Sequence, residues 1–345
     1  MLTIEVVRWE EVPGRKVEVG PLCATWTDLG KAGGSVATGL KRIQIEPGRR
    51  STPAHVHDAE EEIFYVLGGD GLSWQDGETC KVTAGDCIVD VAGGAAHTLI
   101  AGEQGLDVLA FGTRRAAPIA RLPRAGVAWL GRSWVEIGGE PHPWGREAAA
   151  GELLCPEPGA RPANVVAVAE VKERVIARGD TDRRQRGLAK AAGSRITGLN
   201  HVVVASGKLS CPPHVHSAEE EIFVILEGEG TLLLYDWATQ PGAPPAEQRV
   251  GPGSVVVRPA GSGVAHGFLA GGGGLTLLAY GESLGCDMTF YPRSQKVRFR
   301  GLGVTGRLEL CSYMDGEPPE TDDGVIGRAR QCRRLRSTFQ AAGSS

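Results

Sequence analysis

The feature that most constrains the fold of this 345-residue chain is an internal repeat. Aligning His55 with His214 sets an offset of 214 − 55 = 159 positions, at which residues 29–71 match residues 188–230 at more than half of their positions. Further along, aligning His97 with His266 gives an offset of 266 − 97 = 169. The repeat predicts one module made twice, with the extra residues of the second copy in a longer hairpin loop at 236–248.

Both copies carry the same set of candidate metal ligands. Three imidazoles and one carboxylate suit a first-row divalent metal and leave coordination positions open in an octahedral site. Residues two apart on an extended strand point to one face, so each His-x-His pair can present both rings to one ion. The two sets use six of the eight histidines in the chain. The predicted ligands are His55, His57, Glu62 and His97 in the first copy, and His214, His216, Glu221 and His266 in the second.

Short stretches rich in β-branched and aromatic residues, bounded by glycine, predict an all-β fold with a sandwich or barrel in each half. The 50 glycines and 21 prolines agree with many strands joined by tight turns. Apolar residues occupy both faces of the strand predicted at 61–67, so its outer face should be covered by the other copy or by another subunit. The other predicted strands are 43–46, 87–91 and 106–111, and 201–205, 220–226, 254–258 and 275–280.

The predicted domains are residues 1–138 and residues 181–345, joined by a linker at 139–180. Runs of proline, glycine and alanine interrupt the repeat in this linker. Only 147–157 and 165–178 have patterns compatible with helices. Helices are therefore predicted to be short connections between barrels.

The spacing of the ligands resembles that of the cupin superfamily. The first cupin motif is a glycine, H-x-H, a glutamate and a second glycine; it is matched by Gly48, His55, His57, Glu62 and Gly69, and by Gly207, His214, His216, Glu221 and Gly228. The second motif is a glycine, a proline-glycine turn and the last ligand; it is matched by Gly253, Pro259, Gly261 and His266, whereas Val91 stands where the first copy would have proline. The resemblance covers most of both copies. It implies a bicupin: two tandem jelly-roll barrels (double-stranded β-helices), each with a metal in its mouth.

A cupin centre of this composition implies metal-dependent chemistry on a small molecule. Our leading prediction is an iron(II)-dependent dioxygenase of a small oxygenated or aromatic substrate, with Glu62 and Glu221 as catalytic residues as well as ligands. Manganese, zinc, nickel and copper are alternative ions. A metal-dependent isomerase or decarboxylase of a small acid or sugar is the first alternative function. A non-catalytic binding or storage protein is the second, because a fold does not fix a function.

Composition sets expectations about partners and location. A net charge of −4 predicts no general affinity for nucleic acid or anionic membranes, and no run of about 18 apolar residues occurs. Residues 1–10 contain acids and lack the apolar core of a signal peptide, so a cytoplasmic location and eight reduced cysteines are expected. The expected partner is a small-molecule substrate, with a homodimer as a further option.

Some charged residues near the motifs recur in both copies. The acid pairs Glu60–Glu61 and Glu219–Glu220 are predicted to be solvated or to support the metal sites from outside. Arg124 and Arg293 could each hold an anionic substrate through two hydrogen bonds. We favour ion pairs that fix the strand after each barrel.

Five other residues have open interpretations. Cys211 is either a thiol near the site or a small buried side chain, and the second is favoured. Tyr235 and Trp237 precede the inserted loop and could line a pocket or pack at a hairpin end. His142 and His201 have no repeat partners and are predicted to be structural or surface residues.

Overall fold

Strands make up most of the regular structure in this computed structural model, which describes residues 6–114, 118–130, 133–136, 143–237, 240, 242–309, 311 and 315–317. The first twelve strands are β1 Val7–Arg8, β2 Arg15–Val19, β3 Leu22–Thr27, β4 Thr38–Ile45, β5 Val56–His57, β6 Glu62–Gln75, β7 Glu78–Thr83, β8 Asp86–Asp90, β9 His97–Thr113, β10 Ile119–Leu122, β11 Val127–Leu130 and β12 Ser133–Glu136. The next twelve are β13 Val165–Ala167, β14 Arg174–Arg178, β15 Thr181–Gly187, β16 Thr197–Val204, β17 Val215–His216, β18 Glu221–Asp236, β19 Ala246–Val250, β20 Ser254–Arg258, β21 Val264–Glu282, β22 Met288–Tyr291, β23 Lys296–Phe299 and β24 Val304–Arg307. The all-β prediction is confirmed.

Each half combines an eight-stranded and a four-stranded antiparallel sheet. In the first half the large sheet has the order β13-β8-β6-β9-β4-β3-β2, with β7 beside β6, and the small sheet has the order β12-β11-β10-β5. In the second half the orders are β1-β20-β18-β21-β16-β15-β14, with β19 beside β18, and β17-β22-β23-β24. The two halves therefore share one topology, as the repeat predicts.

A glycine marks the irregular pairing in the middle of each long strand. Gly69 in β6 has φ 79° and Gly228 in β18 has φ 77°, values that favour glycine. A Cβ at Gly69 would lie 2.1 Å from the carbonyl oxygen of Gly105, and one at Gly228 would lie 2.3 Å from that of Gly274. Only glycine allows the strands to approach this closely while the sheet bends.

The two faces of β6 pack into different cores. Phe64 lies in the apolar interior of the first half. Ile63 and Tyr65, on the opposite face, belong to an apolar cluster shared by both halves. Within that cluster the ring centroids of Phe111 and Tyr280 are 5.1 Å apart. The outer face of this strand is therefore covered by the other half, which confirms the prediction of a covered face.

Each large sheet gains a short edge strand from outside its own barrel. β1 precedes the first barrel in the chain but pairs with β20 of the second, where Val7 lies opposite Val255. β13 lies within the predicted linker and pairs with β8 of the first, where Val165 lies opposite Ile88. The described residues up to Arg307 form one compact unit. The domain boundaries at 138 and 181 stay a prediction.

Two buried glutamates bind the halves to each other, although both were predicted to be solvated or to support the metal sites from outside. Glu220 of the second half is 3% exposed and accepts hydrogen bonds from three backbone amides and two hydroxyls of residues 35–38. Glu61 of the first half is 2% exposed and accepts from residues 194–197 in the same way. Glu61 and Glu220 therefore link the two barrels, and this part of the prediction is wrong.

The helices are shorter than predicted. They are α1 Leu29–Ala32, α2 Pro143–Ala149 and α3 Leu188–Ala191, with 3₁₀ turns at Val168–Glu170 and Pro292–Ser294. The stretch 165–178, predicted to be helical, instead contains β13, a 3₁₀ turn and β14, because pairing with β8 and β15 outweighs its weak helical pattern. Among the described residues no helix has the length and apolar character needed to cross a membrane.

Candidate metal centres

The first predicted ligand set converges on one carboxylate oxygen. Oε2 of Glu62 lies 3.4 Å from Nε2 of His55, 3.5 Å from Nε2 of His57 and 3.2 Å from Nε2 of His97. His55 and His97 come together because their backbones form an antiparallel bridge. Glu62 is the first residue of β6, and its carboxylate lies beside the three imidazoles.

The second set repeats this arrangement. Oε2 of Glu221 lies 3.9 Å from Nε2 of His214, 3.3 Å from Nε2 of His216 and 3.1 Å from Nε2 of His266. The backbones of His214 and His266 form the matching antiparallel bridge. The structure thus brings together all eight residues predicted as ligands, in two separate clusters.

Both clusters fit a metal ion by their spacing, and the second cluster fits one also by its unsatisfied atoms. Two ligand atoms that bind one ion at about 2.1 Å and at a right angle lie about 3 Å apart, close to the separations observed. Within the part of the chain that the structure describes, Oε2 of Glu221 and Nε2 of His216 and His266 are buried without a hydrogen-bond partner. Buried polar atoms of this kind need a partner. An ion bound among them would satisfy all three.

Both glutamates predicted as ligands are set to be ionised. Burial by itself raises the pKa of Glu62, but its contacts with His55, His57 and His97 hold that pKa well below the usual range. Burial opposes ionisation of Glu221 as well, and the neighbouring His266, His216 and His214 again lower its pKa. Metal ligands must be deprotonated to bind, so both carboxylates are ready to do so at neutral pH.

The outward nitrogens of three imidazoles are held by fixed partners. Nδ1 of His55 lies 2.9 Å from the carbonyl oxygen of Pro53, and Nδ1 of His214 lies 3.0 Å from the carbonyl oxygen of Pro212. Nδ1 of His216 lies 2.8 Å from Oδ2 of Asp287. Such contacts leave Nε2 free for a metal and fix the ring orientation.

Asp287, which holds the predicted ligand His216, is a candidate site residue that sequence reasoning missed. Its side chain is buried, and its other oxygen accepts from the backbone amides of Ala218 (3.1 Å) and Glu219 (3.3 Å). It lies 71 residues beyond His216, outside both motifs, and the position that matches it in the first half is Pro118. No local pattern could have identified it.

Asp287→Asn is expected to weaken metal binding at the second site by roughly 10- to 100-fold, because the charged partner of a metal-binding histidine contributes to its orientation and basicity. A competition titration with a chromophoric chelator measures this. Ser217→Ala is the control, since Ser217 contacts the other oxygen of Asp287, at 3.4 Å, and should change the affinity little. Equal affinities in both variants would contradict the role given to Asp287.

The two centres differ in the charge beside the ligand glutamate. In the paired strands Asp90 lies opposite Glu62, whereas Arg258 lies opposite Glu221. Burial raises the pKa of Asp90 to about 6, and burial lowers the pKa of Arg258 to about 10. Arg258 therefore remains a cation at neutral pH. Asp90 and Arg258 end equivalent strands. A comparison of the two copies could therefore have revealed this difference in charge.

The centres also open into different cavities. The cavity at the second centre has a volume of about 360 Å³ and a polar lining that includes Arg174, Arg183, Gln185, Asn200, Arg298 and Arg300. The cavity at the first centre has a volume of about 270 Å³ and a lining that includes Lys41, Pro118, Leu122, Trp129 and Trp144. The duplicated ligands thus face dissimilar surroundings.

Cys211 lies closer to the second centre than the favoured interpretation assumed. It lines the cavity, and its Sγ lies 3.6 Å from Nδ1 of His214. None of the seven cysteines that the structure describes forms a disulfide. Cys211 is therefore a free thiol in contact with a predicted ligand.

The remaining candidates lie away from the ligands. Arg124 pairs with Glu147 and Arg293 pairs with Asp180, which confirms the ion-pair interpretation. Tyr235 and Trp237 line a separate cavity of about 480 Å³. His201 lies on β16 and belongs to neither cluster. His142 lies outside the described residues.

Comparisons with known proteins agree with the architecture. A family model described as "Cupin domain" matches residues 41–110 and 200–278. A structure of oxalate decarboxylase from Bacillus subtilis is similar, with a TM-score of 0.55 and 15% identity over 81% of this chain and 76% of that chain. Another structure of that enzyme, described for its Mn(II) centres, has a TM-score of 0.53 and 14% identity over 81% and 77% of the two chains.

A further similar structure is vicilin from Corylus avellana (hazelnut). It has a TM-score of 0.52 and 16% identity over 83% of this chain and 87% of that chain. No curated protein matches the sequence. At these identities the structural similarity shows the fold.

Proposed function

Because this chain is a bicupin, with two cupin domains in tandem, we propose that it is a metal-dependent enzyme whose working site is the second centre. The observation that carries this proposal is the coincidence of an unsatisfied ligand cluster with a cavity of about 360 Å³. Small-molecule sites are usually preformed cavities of this order with a few placed polar groups.

The ion would be held by His214, His216, Glu221 and His266, with iron(II) favoured and manganese, zinc, nickel or copper as alternatives. A bound ion of this kind supplies Lewis acidity and, where it is redox-active, a means of activating oxygen. The chain's own residues position the substrate beside it. Tyr291 stacks on His214 with ring centroids 5.6 Å apart and so forms one wall of the reaction space.

The reaction that we propose is oxygenation of a small oxygenated molecule, as in a dioxygenase. The support is chemical: three histidines and a glutamate leave coordination positions for both a substrate and oxygen. A second candidate is decarboxylation of a small acid, which the arginines that line the cavity favour because they match a carboxylate.

Metal analysis and gas exchange together test the proposal. Protein purified without oxygen or chelator is analysed by mass spectrometry for bound metals, and is then given a panel of small carboxylic acids. Net oxygen uptake with substrate would support the dioxygenase, and release of carbon dioxide without net oxygen uptake would support the decarboxylase. Tight binding without turnover would favour a binding or storage protein instead. Failure to bind any divalent metal on reconstitution would refute the enzyme proposal.

A further inference from the structure

One matched position in the barrel interior holds an alanine in the first half and an arginine in the second. Arg183 in β15 and Ala24 in β3 are related by the repeat offset of 183 − 24 = 159. They are also equivalent in the sheets, since Ala24 lies opposite Ile45 and Arg183 lies opposite Val204, 159 residues later. The comparison is therefore between structurally matched residues.

In the first half this position is part of the apolar core. Ala24 is 1% exposed and belongs to the interior cluster, against which Trp26 packs. In the second half Arg183 and Gln185 occupy the matched positions and line the cavity. An interior that is packed in one copy has thus become polar and open in the other.

Arg183 has no acidic partner within the described residues, and its buried Nε makes no hydrogen bond there. The next arginines along the strand point to the opposite face, where Arg186 lies 2.8 Å and Arg184 lies 4.0 Å from Glu173. A guanidinium inside a barrel without a counterion is costly unless a ligand supplies one.

The rest of the cavity has the same sign of charge. Arg174 and Arg298 also line it, and the described chain offers neither of them an ion pair. Arg300 is already held by Glu219 and Asp287. Among the described residues that line the cavity, the only carboxylate is that of the predicted ligand Glu221. The cavity therefore has an excess of cationic groups around a centre that would itself hold a cation.

We propose that this cavity binds a small organic anion, with an acidic group on Arg183 and the remainder facing the second metal centre. The volume of about 360 Å³ restricts it to a small molecule, and the planar guanidinium matches the paired oxygens of a carboxylate or phosphate. The inference rests on the proposed function in that this anion is the substrate of that site. It gives the two halves different tasks, because the first cavity has aromatic side chains in its lining.

Calorimetric titration with malonate and, separately, with inorganic phosphate tests the proposal. Both are titrated into the full chain as purified, at neutral pH and low ionic strength. We expect at least one of them to bind, and Arg183→Ala to weaken that binding by about tenfold or more, since a charge-assisted pair is lost. Malonamide, which is similar in size and uncharged, should not bind.

Arg184→Ala is the matched control, because it removes the same charge from the adjacent residue on the opposite face and should leave binding unchanged. Arg183→Lys keeps the charge without the planar fork and should bind with intermediate affinity. Circular dichroism and melting curves establish that each variant is folded.

Two results would overturn the inference: no binding of either anion to the wild type, or equal binding by Arg183→Ala and the wild type. Either result is compatible with a protein that binds metal and turns over a neutral substrate, so neither would refute the proposed enzyme. Conversely, binding of an anion that depends on Arg183 in a chain that never takes up metal would keep the anion site and refute the enzyme.

Discussion

Glu220→Ala is expected to lower the free energy of unfolding by about 4 kcal/mol, because it leaves three amide and two hydroxyl donors of the other half without their acceptor. In the wild type these donors lie 2.7–3.0 Å from the carboxylate oxygens, and they belong to Ser35, Val36, Ala37 and Thr38. Urea unfolding followed by circular dichroism measures the change. Glu229→Ala, at an exposed position in the strand that follows Glu220, is the control and should cost little.

The same residue predicts how stability depends on pH. Burial raises the pKa of Glu220, but the hydrogen bonds from Val36, Ser35 and Thr38 outweigh it and hold the pKa below the ordinary 4.5. A lowered folded-state pKa stabilises the fold above the unfolded-state pKa, and this contribution is lost as the pH falls through the folded-state pKa. The wild type should therefore lose more stability than Glu220→Ala on acidification below pH 4.5. Parallel pH profiles would contradict an ionised, hydrogen-bonded Glu220.

His214→Ala is expected to empty the second centre of metal and to reduce turnover by about 10³-fold or more, since metal catalysis contributes several kcal/mol to lowering the barrier. His55→Ala is the matched variant in the first half. It should remove an equal amount of metal and leave turnover within about tenfold of the wild type, because the first centre does not open into the reaction cavity. Metal content and initial rates are measured on the same preparations.

The opposite pattern would reassign the working site. If His55→Ala abolished turnover and His214→Ala spared it, the aromatic cavity of the first half would be the place of reaction. A loss of metal from both centres in either variant would instead indicate that the two ligand clusters do not bind independently.

The repeated parts of this protein could be predicted from sequence. Apolar residues on both faces of the strand at 61–67 predicted a covered outer face, and the structure has Phe64 inside and Ile63 between the halves. Glycines such as Gly69 could be recognised because the motif needs a backbone conformation that other residues rarely adopt.

What could not be predicted lies in contacts between residues far apart in sequence. Glu61 resembles any exposed acid next to a ligand, and only the docking of residues 194–197 against it reveals a buried acceptor. Asp287 approaches His216 through the pairing of β22 with β17, which no local pattern specifies. Arg183 sits in a run of charged residues that predicts an exposed strand, and its inward direction depends on register.

The reciprocal contacts between the halves also bear on the order in which the chain is completed during synthesis. The first barrel obtains its edge strand from residues 165–167 and the donors for Glu61 from residues 194–197. When the ribosome has finished the first module, that barrel still has an open sheet edge and a carboxylate without donors. The nascent first half is therefore incomplete until the start of the second half has emerged.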